Sequence, residues 1–138
     1  MKSTLVDAGP LIALFDKDDA YHETVLSFLK GYTGSLFTTW PVITEVSHML
    51  SFNSLIQIDF LTWLYRDPIH LIELEKQHVR RLIELFEKYA DVPIDLADGS
   101  LLILSEITGI RHIVTVDSDY YIYRLKDKKA LINLLDLS

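Results

Sequence analysis

The sequence predicts an α/β fold: a three-layer α/β/α sandwich around a parallel sheet of four to five strands. Two observations carry that prediction. Short apolar runs alternate with longer segments whose apolar residues recur at helical spacing, and such alternation implies a parallel sheet covered on both faces. Four acids, Asp7, Glu45, Asp98 and Asp117, stand at strand ends or in the first turns of helices. In folds of this kind the strand C-termini share one rim, where ligands bind.

The elements follow in order. Residues 3–7 read as a short buried strand bounded by Gly9-Pro10, and Pro10 suits the first turn of a helix over 10–15. A polar turn at Asp16-Lys17-Asp18-Asp19 precedes a helix over 20–30, which Gly31 stops. Residues 35–38 form a second strand. Trp40-Pro41 opens a helix to about 51, and Asn53 or Ser54 caps the next, which ends at Tyr65 before Asp67-Pro68. A third strand is expected over 69–74. The segment 75–89 is amphipathic, with Val79, Leu82, Ile83 and Phe86 on one face. Asp95 caps a helix running to Gly109. A fourth strand over 112–117, a short helix over 120–125 and an edge strand over 130–135 complete the chain, read as a single domain over 1–138.

Composition narrows the chemistry. The chain has 138 residues, 49% hydrophobic and 24% charged, enough for a buried core and without the signature of disorder. It has no cysteine, which removes disulfides, thiolate metal sites and cysteine nucleophiles. The histidines show no HExxH or paired spacing, which disfavours zinc. An acid at position 7 comes too early for a signal peptide, and no apolar run approaches the ~20 residues of a membrane helix, so a cytoplasmic location is expected. The 13 basic and 20 acidic side chains leave a net charge of −7. That balance argues against tight non-specific nucleic-acid binding. It leaves room for a nuclease whose acids cluster at one metal site.

Each acid also has a purely structural explanation. Asp7 and Asp117 suit helix caps, Asp95 and Asp98 suit a reciprocal capping pair, and Glu45 suits a helix dipole. The capping pair accounts for Asp95 better than for Asp98, beside which Ala97, Gly99 and Ser100 leave space. The conjunction weighs more than any single acid. Four carboxylates on one rim repel one another, and oxygen-only ligands favour Mg²⁺ or Mn²⁺, ions that activate water and stabilise charge on phosphate. A metal-dependent phosphodiesterase is the expectation. Thr115 and Asp119 stand behind Asp117, and Asp95 behind Asp98, as residues that orient the acids. Trp40 and Tyr120 suit either base stacking or the core. His48 reads as a packed helix histidine. Arg124, Lys126, Lys128 and Lys129 form the densest basic run, suited to a phosphate backbone or to solvent.

Four stretches carry a family resemblance: Leu5-Val6-Asp7-Ala8-Gly9-Pro10-Leu11-Ile12-Ala13-Leu14, Thr44-Glu45-Val46, Asp95-Leu96-Ala97-Asp98-Gly99-Ser100 and Thr115-Val116-Asp117-Ser118-Asp119-Tyr120. In content and order they closely resemble the PIN-domain family, in its small prokaryotic form, to which the VapC toxins belong. The resemblance implies a Mg²⁺- or Mn²⁺-dependent endoribonuclease acting on RNA, with Asp7, Glu45, Asp98 and Asp117 as the catalytic and metal-binding acids. It implies further an antitoxin partner and a homodimer. Two positions depart from the family pattern. Gly99 stands where alanine is frequent, and Gly9 where a hydroxyl or amide residue is frequent, removing a side-chain contact to metal or phosphate. Two other readings are a PIN fold that binds nucleic acid or protein without cutting, and a Toprim-like phosphotransfer enzyme. Asp117-Ser118-Asp119 has the form of the latter's DxD element, but its first strand calls for Glu where this chain has Asp7.

Overall fold

The computed structural model describes residues 2–135. The element order is β1 (Lys2–Val6), α1 (Ala8–Phe15), α2 (His22–Gly31), β2 (Gly34–Thr39), α3 (Trp40–Met49), α4 (Ser54–Tyr65), β3 (His70–Ile72), α5 (Val79–Lys88), α6 (Leu96–Thr108), β4 (His112–Val114) and β5 (Ile132–Asn133). Single 3₁₀ turns at Lys76–His78 and Ser118–Tyr121 precede α5 and follow β4. The five strands form one sheet of order β3-β2-β1-β4-β5, and every pairing is parallel. This is the α/β sandwich expected from the alternation of periods.

Consecutive strand residues point to opposite faces of a sheet. Leu5 and Val6 are both buried, as are Ile113 and Val114, so the middle of the sheet is covered on both sides. Ile113 joins the large cluster with Leu36, Val46, Phe60 and Leu101, while Val114 packs with Ala13, Val25 and Leu135. α6 supplies the most continuous wall, buried from Ala97 to Ser105 apart from Asp98. Its ends are set by local chemistry. Asp95 caps the first turn, and Gly109 closes the last with φ +79°, a left-handed conformation that glycine adopts without a Cβ clash.

Several elements differ from the sequence expectation at their edges. The fourth strand stops at Val114 rather than 117, because β1 ends at Val6 and the next main-chain groups find other partners. The Thr115 N–H and C=O are bonded by the side chain of Asn133, which replaces a strand there. The helix expected over 120–125 is only the 3₁₀ turn. The Arg124 N–H goes instead to the Tyr89 hydroxyl, and the Leu125 N–H to the Lys129 carbonyl. β3 is shorter than 69–74, since Glu75 already begins a reciprocal cap with His78. That turn also delays α5, expected from 75, to Val79.

Candidate metal centre and its groove

The chain leaves β1 toward β2 on one side, and β4 enters on the other, so the sheet reverses its strand order at β1. Ligand crevices in open α/β sheets form beyond the strand C-termini at such a switch. Asp7 is the first residue after β1. Its N–H bonds the Val114 carbonyl at 3.0 Å, which fixes it beside the end of β4. Although Asp7 occupies the N-cap of α1, its side chain forms no capping bond to that helix. Its Oδ2 accepts from the Thr115 hydroxyl at 2.7 Å instead. The cap explanation therefore fails for Asp7.

Asp117 and Asp98 both cap and converge. Asp117 Oδ1 accepts from the Asp119 N–H at 2.9 Å, and its own N–H donates to Thr115 Oγ1 at 3.0 Å. Asp95 Oδ1 accepts from the Asp98 N–H at 2.8 Å, while Asp98 Oδ2 accepts from the Asp95 N–H at 3.2 Å. This is the reciprocal capping pair that the three-residue spacing suggests. Asp98 Oδ1 additionally accepts from the Tyr120 hydroxyl at 3.1 Å. Asp7, Asp98 and Asp117 each offer an oxygen within 4.8 Å of the other two. Glu45 stands outside that trio, on α3, yet close enough that Asp95, Asp7 and Asp117 all disfavour its charge.

The electrostatics are uncompensated. Burial first, with Asp117 and Asp95 adding to it, pushes the Asp7 carboxyl up from 3.8 to about 6, against the help of the Thr115 hydroxyl. Burial, then Asp95 and Asp7, pushes Asp98 up to about 8. Burial likewise takes Glu45 from 4.5 to about 7. Tyr120 is held well above its ordinary value by burial and the surrounding acids, so its hydroxyl stays a donor. The described residues form ion pairs at Arg81–Glu84, Arg81–Glu106 and Arg111–Asp127, none of which reaches these acids. A converging set of carboxylate oxygens with no basic side chain beside it suits a hard divalent cation. The donor set fits Mg²⁺ or Mn²⁺.

Beside the trio, a groove of about 590 Å³ runs between α3 and the start of α6. Glu45 and Asp95 belong to both the groove and the acid cluster, while Trp40 and Leu96 form its apolar walls, about half exposed.

Four sequence readings change here. The space inferred beside Asp98 is filled: a Cβ on Gly99 would lie 2.8 Å from Leu82 Cδ2 of α5, and Ser100 is buried against Thr39. Gly9 reflects packing, since a Cβ there would come within 2.4 Å of Val116 Cγ2. Tyr120 is 2% exposed and so stacks on no base. Arg124 turns its guanidinium onto the carbonyls of Tyr121, Ile122 and Tyr123, leaving Lys126, Lys128 and Lys129 as the exposed cations of that run. Two roles at the site were missed. Tyr120 donates to Asp98, and Asn133 clamps the main chain at Thr115, with Oδ1 accepting from Thr115 N–H (3.2 Å) and Nδ2 donating to its carbonyl (3.0 Å). The available signal for Asn133 was a poor strand former inside the apolar run Leu131-Ile132-Asn133-Leu134.

An open parallel sheet with acids gathered at its switch point agrees with what the family comparison finds. The PIN domain model matches residues 4–128, and the chain belongs to the PIN-domain family. Among solved structures, it is similar to the Mycobacterium tuberculosis toxin VapC20, described as sarcin-ricin loop cleaving. The TM-score is 0.78 at 14% identity, over 84% of this chain and 91% of that one. Comparison with curated protein sequences gives no significant match.

Proposed function

We propose that this chain is a Mg²⁺- or Mn²⁺-dependent endoribonuclease that hydrolyses RNA phosphodiester bonds, and that it is the toxin of a toxin–antitoxin pair. The observation that carries the activity is the trio of buried Asp7 with half-buried Asp98 and Asp117, without an ion-pair partner among the described residues and with two of its carboxyls pushed up by burial and by neighbouring acids. A divalent cation held there supplies Lewis acidity toward a phosphoryl oxygen and a means of ionising water near neutral pH.

The chain's own residues do the rest. Asp7, Asp98 and Asp117 would hold the cation directly or through water. Thr115 ties the Asp7 carboxylate to the Asp117 main chain through its single hydroxyl, which donates to Asp7 Oδ2 and accepts from the Asp117 N–H. Tyr120 steadies Asp98. Glu45, half-buried where the groove meets the acids, would take a proton from the attacking water. That water's oxygen bonds to phosphorus, the phosphorus bond to the leaving ribose oxygen breaks, and that oxygen takes a proton from solvent water to leave as the hydroxyl. Asp95 and Asp119 position Asp98 and Asp117 through main-chain bonds.

The toxin role rests on the likeness to VapC20 and on the family. Partner surfaces are available. α4 buries Phe60 yet leaves Leu55, Ile58 and Leu61 about half exposed or more, and Met49 and Phe52, just before it in the chain, are exposed as well. A homodimer or an antitoxin would cover such a face. Among the described residues no helix is long and apolar enough to cross a membrane. A cytoplasmic location belongs to this proposal.

The test is cleavage of a structured RNA pool by pure protein in Mn²⁺, in Mg²⁺ and in EDTA, beside Asp98→Asn shown to be folded. Cleavage that needs the metal and disappears in the variant supports the reading. Full cleavage by the folded variant would overturn it.

A further inference from the structure

We propose that the groove between α3 and α6 is a nucleobase subsite, in which one unstacked base of single-stranded RNA lies against the Trp40 indole next to the acids. The inference rests on the nuclease reading above and names the part of the substrate that the site would grip.

The two tryptophans of the chain are treated very differently. Trp63 packs edge-on against Phe15 within the core region, at a centroid distance of 5.3 Å. Trp40, the first residue of α3, is 48% exposed and lines the groove opposite Leu96, itself 52% exposed. A large aromatic face left open beside a polar site is a stacking platform, since every base has a π-face. The groove's volume of about 590 Å³ lies in the range of small-ligand sites.

The polar lining selects among occupants. Glu45 and Asp95 bring carboxylates to the groove, which repel a phosphate but accept hydrogen bonds from exocyclic amino groups. His48, exposed at the rim, has no side-chain hydrogen bond among the described residues and is free to donate. The groove therefore takes the base, leaving the phosphate for the metal centre. Adenine and cytosine, with amino groups, fit better than uracil, which presents carbonyls there. Among the described residues, the exposed apolar faces of α4 and α5 lack this continuity with the acids, whereas the Trp40 groove includes Glu45 and Asp95.

The experiment uses the full chain with uniform RNA octamers of A, C or U. Octamer binding is read by anisotropy and tryptophan fluorescence, cleavage of the RNA pool by kinetics, and Mn²⁺ binding by calorimetry. Trp40→Ala should weaken adenine and cytosine octamers about tenfold, in line with loss of one stacked base. It should raise KM more than it lowers kcat, and Trp40→Phe should recover most of the loss. The Mn²⁺ isotherm should not move, which separates this effect from damage to the acids. Wild-type octamer affinity and KM in Trp40→Ala would overturn the subsite and leave the nuclease standing. Octamers that bind and quench Trp40 in a protein that cuts no RNA would uphold the subsite and remove the nuclease. No octamer binding by the wild type, or equal binding of all three, refutes the subsite or its amino preference respectively.

Discussion

Replacing Asp7 by asparagine is expected to abolish metal binding and cleavage while making the metal-free protein more stable at alkaline pH. Asp7 is 5% exposed, and burial raises its carboxyl from 3.8 to about 6. A folded-state value above the unfolded one means that the native protein holds the proton more tightly. Stability from this group is thus full below pH 3.8, falls as pH rises through that window, and levels off above about 6. At 1.36 kcal/mol per pH unit the wild type forfeits about 0.5 kcal/mol by pH 4 and about 3 kcal/mol by pH 8. Asparagine has no such dependence, and its side-chain oxygen still accepts from Thr115. The balance is a variant about 0.5 kcal/mol more stable at pH 4 and about 3 kcal/mol more stable at pH 8. For a chain of this size the latter is a rise in Tm of roughly 9 °C. Thermal and urea unfolding in EDTA at both pH values measure it, and Mn²⁺ should then stabilise the wild type alone. If Asp7→Asn is no more stable than the wild type at pH 8 in EDTA, the buried charge is not the burden described, and the case for a resident cation weakens with it.

Four further outcomes follow from the same geometry. Mn²⁺ affinity should climb between pH 6 and 8 as Asp7, Glu45 and Asp98 ionise, and binding at pH 6.5 should release protons, seen as a calorimetric enthalpy that varies with the buffer. Thr115→Val removes the hydroxyl shared by Asp7 and the Asp117 N–H and should cost about 2 kcal/mol by urea unfolding, together with a loss of metal affinity. Asn133→Ala frees the Thr115 main chain and should destabilise by about 2 kcal/mol; an unchanged midpoint would show that the clamp is idle. Gly9→Ser drives a Cβ into Val116 and should cost roughly 1–3 kcal/mol, with Val116→Ala in the same chain restoring most of it.

Much of the molecule was legible from residue order. The alternation of strand and helix periods determined a parallel sheet, and Pro41, Asn53, Asp95 and Gly109 marked helix ends that the structure keeps. Those signals are local: a cap or a turn acts within four residues, and one chain segment contains all of it. The acids were legible as a set because each follows a strand or opens a helix, which in this fold class leads to one rim. What the sequence left open was decided by contacts across the sheet. Asp98 converges with Asp7 and Asp117 while Glu45 lies to the groove side, a division that depends on how α3 and α6 sit against β1 and β4. Val116 beside Gly9, Leu82 beside Gly99 and Asn133 on Thr115 each join segments distant in the chain. The shared hydroxyl of Thr115 belongs to the same order of fact, linking residues 108 apart through one 2.7 Å bond. Burial, which raises the carboxyls and makes a cation their natural partner, is likewise a property of the packed layers. Residue types and spacing named the acids; only the packed layers brought Asp7, Asp98 and Asp117 within reach of one another and took Asp7 out of water.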